Sequence, residues 1–131
     1  MYKLIFFFFL MLCSSLVASS QAYDVSRADT ITKQLFVDGK WDELIETGNN
    51  ILKEKIDFET LRQRLGYAWL MKGNYLKSRL QYENALKFDK KDEISNLYLY
   101  YSGLYTGDEG VSRFYAGKLS PETRQEMKIK T

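Results

Sequence analysis

The sequence predicts an all-α fold, a helix-turn-helix solenoid of about three repeats placed behind an N-terminal signal peptide. Three observations carry that expectation. Gly39, Gly73 and Gly107 recur every 34 residues, a period found in stacked helix pairs. Other positions keep the same register: Ile31, Leu65 and Leu99; Trp41 and Tyr75; Leu35 and Trp69; Ile51, Ala85 and Leu119. In the central copy Leu61, Leu65, Ala68 and Trp69, and then Tyr75, Ser78, Tyr82, Ala85 and Leu86, fall at helical spacing, which gives each of two helices one face to bury.

The leader comes first. Lys3 is the only charged residue before Asp24, and the run Leu4 to Leu12 is apolar but too short to cross a bilayer as a helix. The residues then shrink to Ser20 and Ala22, which suits a signal peptidase cutting before Tyr23 and makes residues 1–22 a signal peptide. A rival reading lipidates Cys13 at the end of the apolar run, although Leu12 before it is larger than such a site prefers; an uncleaved anchor is a third, against which Ser14 and Ser15 interrupt the run. Loss of Cys13 with the leader leaves an exported chain with no cysteine, so packing alone must hold it.

The repeat region spans 23–119, in copies at about 25–58, 59–92 and 93–119. The first copy offers the turn Gly39-Lys40-Trp41 and the apolar positions Leu44, Ile51 and Leu52. In the second, Gly73 stands where a helix must stop and reverse, a position for positive φ, and Asn74 follows as an N-cap. Gly66, with Ser78 or Ala85, is small where its two helices should cross, and Trp69, Tyr75 and Tyr82 fill the space beside them. The third copy has a rich first helix, with Ile94, Leu97, Tyr98, Tyr101, Leu104 and Tyr105 in one stripe, and a degraded second helix whose bounds near 108–119 are open. Ser120-Pro121-Glu122 then opens a polar helix expected to run through Lys130, so 120–131 is either a capping helix or the start of a further region.

Residues 59–92 resemble the tetratricopeptide repeat (TPR) family. Its pattern of Leu-Gly, an aromatic, Gly-Asn/Asp-Tyr, a small residue, an aromatic and Ala-Leu reads here as Leu65-Gly66, Trp69, Gly73-Asn74-Tyr75, Ser78, Tyr82 and Ala85-Leu86. The flanking copies depart from it. Thr32 and Tyr100 stand in place of the glycine, Gly48 in place of the second-helix aromatic, and Glu109 in place of the turn aromatic.

The inventory limits the chemistry. With no His, a catalytic triad, a Cys-His pair, a His-ligated zinc and an imidazole switch are excluded. Nineteen basic residues against seventeen acidic leave a net charge of +2 and no basic stripe, which argues against nucleic acid. The acidic pairs Asp42-Glu43, Asp92-Glu93 and Asp108-Glu109 read as helix-start residues. Arg62, Arg64 and Lys72 read as a solvated helix face, and Lys33 is a nucleophile only if desolvated. No phosphate loop, metal cluster or nucleophile-base pair is present, so neither an enzyme nor a cofactor is expected.

The resemblance implies a concave groove lined from the first helix of each repeat: Phe36 and Val37; Thr60, Gln63, Tyr67, Leu70 and Met71; and Leu97, Tyr101, Leu104 and Tyr105. Such an aromatic groove suits a helix or extended peptide, anchored on Tyr67, Tyr101 and Tyr105. A carboxylate clamp is not supported, because the register offers mainly Lys33 and Arg64 among tyrosines. The apolar stretch from Leu97 to Tyr101 is a sticky surface unless a partner, a second copy or further chain covers it. The function expected is a non-catalytic, exported bacterial adaptor or scaffold, in the periplasm or cell envelope, that binds a protein or peptide. The alternative is the N-terminal docking module of a larger envelope protein, with membrane association through a lipidated Cys13 or a longer chain and with self-association open.

Overall fold

The structure is a computed structural model and describes residues 22–130; the expected signal peptide through Gln21, with Cys13, lies outside the described residues. Among these the chain is wholly helical. The helices are α1 (Val25–Val37), α2 (Trp41–Lys53), α3 (Glu59–Met71), α4 (Tyr75–Ala85), α5 (Glu93–Thr106), α6 (Glu109–Ala116) and α7 (Pro121–Glu126). None is long and apolar enough to cross a membrane.

Local chemistry sets the boundaries. Gly39, Gly73 and Gly107 take φ of 67°, 75° and 71°, and each reverses the chain between the two helices of a pair. The next helix is then capped from its own first turn: Asn74 Oδ1 accepts from the Lys77 amide at 3.0 Å and Asp108 Oδ1 from the Val111 amide at 3.0 Å. Asp24 and Asp92 do the same for α1 and α5, at 2.7 Å each. Helix α2 has no side-chain cap, and Asp42 and Glu43 lie instead in its first turn, at the positive end of its dipole.

The expected closing helix forms but is short. It has the foreseen Ser120 cap and Pro121 start, then ends at Glu126 rather than running to Lys130. Lys128 adopts φ of 55°, and the Ile129 amide folds back onto the Arg124 carbonyl at 2.8 Å, so the chain turns out of the helix there. The second helix of the third copy, doubtful in sequence, is a regular α6.

Consecutive helices from α1 through α6 pack on one another, and α1 also packs against α3. Ala28, Leu44, Ile51, Leu61, Leu65 and Ala68 are fully buried between the first two pairs, with Trp41, Phe58 and Trp69 closing around them. Burial of each such Leu or Ile contributes roughly 1.5–3 kcal/mol. Tyr82, Ala85, Leu99, Ala116 and Leu119 continue the core through the later pairs.

Three glycines let these helices approach. A Cβ on Gly66 would lie 2.7 Å from the Tyr82 ring, and beside it the Ser78 hydroxyl donates to the Gly66 carbonyl at 2.7 Å. Gly48 leaves room for the Leu65 side chain, which a Cβ would meet at 2.6 Å, so the missing aromatic of the first copy is replaced by a leucine reaching across from α3. In the third copy the close approach is Gly103 against the Ser112 backbone nitrogen, 2.5 Å from a built Cβ. Glycine there has moved one helical turn from the position held by Tyr100, while the facing serine keeps its register with Ser78.

Two readings of polarity are corrected. Arg62 and Arg64 do not form a solvated face: their side chains are only 16% and 14% exposed. Arg62 makes a two-pronged pair with Asp57, at 2.8 and 2.7 Å, and also donates to Gln81. Lys72 does stay largely in solvent, paired with Asp42. The stretch from Leu97 to Tyr101 is covered by its own chain, since Leu99 is buried and its neighbours are half-buried, and the exposed apolar residues of α5 are Ile94, Leu104 and Tyr105.

Candidate functional site: an aromatic groove across the first helices

The first helix of each pair contributes to one cavity of about 400 Å³. Helix α1 supplies Phe36, α3 supplies Thr60, Gln63, Arg64 and Tyr67, and α5 supplies Ile94 and Tyr98, with Tyr82 of α4 reaching the floor. Residues 60, 63, 64 and 67 fall on one face of α3 by helical periodicity, as 94 and 98 do on α5, which is why neighbouring helices aim them into a common space.

The walls are a chain of rings. Trp41 and Phe36 meet Tyr67 edge-on at 5.5 and 5.3 Å, Tyr67 meets Tyr98 edge-on at 5.8 Å, and Tyr98 stacks on Tyr82 at 4.9 Å with the planes 5° apart. Such contacts each add roughly 0.5–1.5 kcal/mol beyond burial, so the floor is rigid without a ligand. Tyr82 is 1% exposed, yet its hydroxyl makes no hydrogen bond within the described residues. Burial holds its phenol well above the usual range, and the phenols of Tyr98 and Tyr67 and the Asp92 carboxylate push in the same direction. Burial likewise raises Tyr98. Both remain neutral phenols in any ordinary buffer.

Polar buttresses flank the rings on either side. Toward α1, Arg64 Nη1 donates to Asp29 Oδ1 at 2.7 Å, to the Asp29 carbonyl at 3.1 Å and to Thr32 Oγ1 at 2.9 Å. The Arg64 guanidinium therefore holds the Asp29 carboxyl below its usual value. Thr32, where a glycine was expected, is fully buried and satisfied by the Ala28 carbonyl and by Arg64. Toward α5, Gln63 Nε2 donates to Asp92 Oδ2 at 2.9 Å, the same oxygen that caps the helix. Glu59, one turn before Gln63, has its carboxyl raised by burial first and then by the charges of Asp92 and Asp89. On the α1 side the Arg64 cation is thus paired, and on the α5 side the wall residue Gln63 is bonded to Asp92, which has no ion pair among the described residues.

Of the residues expected to line a groove, Phe36, Thr60, Gln63 and Tyr67 lie in this cavity. Tyr101 and Tyr105 lie farther along α5, where Tyr105 stacks on Tyr75 at 5.3 Å and on Tyr101 at 6.2 Å. Leu104 borders a different hollow with Tyr100, Glu109 and Ser112. Leu70 and Leu97 are half-buried outside the cavity, and Met71 and Val37 are exposed there. Arg64, Tyr82, Ile94 and Tyr98 were not assigned to it. The period held the signal for two of them, since Ile94 is in register with Thr60 and Tyr98 with Arg64. Among the described residues no group of three or more His, Cys, Asp or Glu is placed to hold a metal.

No protein-family model, curated protein or solved structure matches this chain.

Proposed function

We propose that the chain is a non-catalytic protein-interaction module, a TPR-type solenoid that binds a peptide or helix of a protein partner in the groove between α1, α3 and α5. The observation that carries this reading is the cavity itself, walled by preassembled rings contributed by the first helix of all three pairs. Rigid aromatic anchors in a concave site are what peptide recognition needs, because little side-chain freedom remains to be lost on binding. The residue pattern at Leu65-Gly66, Trp69, Gly73-Asn74-Tyr75 and Tyr82 supports the TPR assignment, and the leader sequence supports export to the periplasm or envelope.

The test is site-directed crosslinking in cells. A photoreactive residue at Ile94, half-exposed on the groove, should yield a discrete heavier species that disappears with Tyr67→Ala, and the same residue at Leu76 on the outer side of α4 should not. A crosslink that survives Tyr67→Ala, in a protein with unchanged helical circular dichroism, rejects the groove.

A second reading, the docking module of a larger envelope protein, is favoured by one feature. Leu76, Leu80, Phe88 and Phe114 are 50–73% exposed, and Leu80 and Phe114 share a register position on the second helices, so the outer side also presents apolar surface. An intact native mass above that of Tyr23 to Thr131, or retention in the membrane fraction, distinguishes it.

A further inference from the structure

We propose that the groove is built for a basic segment, and that a lysine or arginine side chain of the partner seats against Tyr67, Tyr82 and Tyr98 on the side of the wall where Gln63 holds the Asp92 carboxylate and Glu59 precedes Gln63 by one turn. This rests on the groove as the binding site and goes further in naming the chemistry of its occupant.

Charge decides the choice. Arg64 is the one cationic residue lining the cavity, and Asp29 already neutralises it at 2.7 Å. On the opposite side no carboxylate lines the cavity itself, but the wall residue Gln63 is bonded to Asp92 at 2.9 Å, Glu59 lies one turn before Gln63 on the same face of α3, and the charges of Asp92 and Asp89 add to burial in raising the Glu59 carboxyl. No ion pair joins any of the three to a basic side chain of the described residues. Asp92 Oδ2 accepts from Gln63 and the Ser95 amide, and Asp89 Oδ1 accepts from the Lys91 amide, so neither has a cationic side chain as its hydrogen-bond partner. An anionic occupant would meet repulsion on this side, whereas a basic one gains from it.

The second observation is the unused hydroxyl of Tyr82. Its ring is locked between Gly66 and Tyr98, so the oxygen is held in place at the floor with lone pairs to offer. An ammonium or guanidinium N–H is a donor suited to a neutral phenol oxygen. Aromatic rings together with carboxylates favour a cation twice, through the ring quadrupoles and through direct charge, whereas a neutral amide gains little from either.

The experiment uses the exported protein and a library of random dodecapeptides displayed on phage. Selected peptides are resynthesised, and their binding is followed by fluorescence anisotropy at low and at physiological salt. Enrichment of Lys or Arg among apolar residues is expected, with affinity lowered about tenfold by Glu59→Lys and several-fold by Tyr82→Phe. Changing the selected basic residue to Glu should make the peptide prefer the Glu59→Lys protein. Glu59 makes no hydrogen bond or ion pair in the described residues, but it sits in the first turn of α3, where Lys opposes the helix dipole, so a urea melt and helical circular dichroism of Glu59→Lys accompany the titration and a binding loss is read only from folded protein. Peptides that bind, are lost with Tyr67→Ala and are indifferent to Glu59→Lys overturn the basic occupant and leave the groove standing. If no peptide is selected, or if Tyr67→Ala binds as well as the parent, the groove reading itself falls and this inference falls with it.

Discussion

Replacing Gly103 with alanine adds a single methyl group, yet it should detach the last helical hairpin. The added Cβ would lie 2.5 Å from the Ser112 backbone nitrogen and 2.9 Å from its Cα, so no side-chain rotation can relieve the contact. Restoring an ordinary separation needs α5 and α6 to part by roughly 1 Å, and forcing a methyl into such a packed contact costs about 1–3 kcal/mol, here toward the upper end. In an unpacked helix the same change would stabilise the chain by about 0.5–1 kcal/mol, so the sign of the effect is itself the measurement. Helix α6 has eight residues, too few to persist alone, and is held mainly by Ser112 and Ala116. Its loss should therefore be local. Hydrogen exchange read residue by residue should show the amides of α6 losing protection while those of α2 and α3, around Leu44 and Leu65, keep theirs. Urea melts should give a net loss of about 1–2 kcal/mol once the helix-propensity gain is deducted. A variant as stable as the parent, with α6 still protected, would show that the two helices do not approach this closely and would refute the account of the third copy.

Other consequences are simpler. Gly73→Ala meets no atom within 4 Å but must hold φ near 75°, so it should cost about 1 kcal/mol from backbone conformation alone, measurable as a lowered urea midpoint with unchanged slope. Asp108→Ala removes the α6 cap and should cost about 1 kcal/mol, seen again as faster exchange confined to that helix. Arg64→Met removes three hydrogen bonds, but Asp29 is 46% exposed and water screens the pair, so the loss at neutral pH should be near 1 kcal/mol. The Asp29 carboxyl is lowered from 3.8, so its share of stability is present above that value and vanishes as the pH falls through the lower folded value. The gap between Arg64→Met and parent should accordingly begin to narrow as the pH falls below about 3.8, down to what the Arg64 bonds to the Asp29 carbonyl and Thr32 leave, and a gap that stays constant into strong acid would remove the ion pair from the explanation.

Much of the architecture was legible because it depends on features that repeat. A glycine at the turn must adopt positive φ wherever a helix pair reverses within two or three residues, so Gly39, Gly73 and Gly107 are visible as a period before any packing is known. Caps are equally local: Asn74, Asp92, Asp108 and Ser120 act on amides three residues away, and their spacing shows it. Close approaches were harder to read. A helix crossing needs a small residue at the point of contact, and that point can slide by a turn, as it does from the Gly66 position to Gly103, while the sequence register draws attention to Tyr100 instead. The end of α7 was misjudged for a related reason, since polar residues after Glu126 suit a helix and only the backbone turn at Lys128 ends it.

The groove was half legible, and the missing half has a physical pattern. Periodicity places a residue on a face but gives the orientation of that face only to within about one residue, or 100° around the helix. Choosing Leu97 and Tyr101 rather than Ile94 and Tyr98 is a rotation of that kind, and it moved the expected site along α5 toward the separate Tyr75, Tyr101 and Tyr105 cluster. Charge misled differently. Arg64 looks like a surface residue in sequence because its partner Asp29 is 35 positions away on α1, and only their contact turns a cation into a neutral part of the wall. That neutralisation shapes the groove: with Arg64 occupied, the charge next to the wall without an ion-pair partner is that of Asp92 on Gln63, with Glu59 one turn before Gln63. Arg64→Met leaves Asp29 unpaired and adds a negative charge on the α1 side, so it should tighten rather than weaken the binding of a lysine-containing peptide. Because the same substitution lowers stability, opposite signs in the melt and in the anisotropy titration would separate the two roles of this one side chain. A basic peptide that binds the Arg64→Met protein less tightly than the parent would instead make Arg64 a direct contact of the occupant.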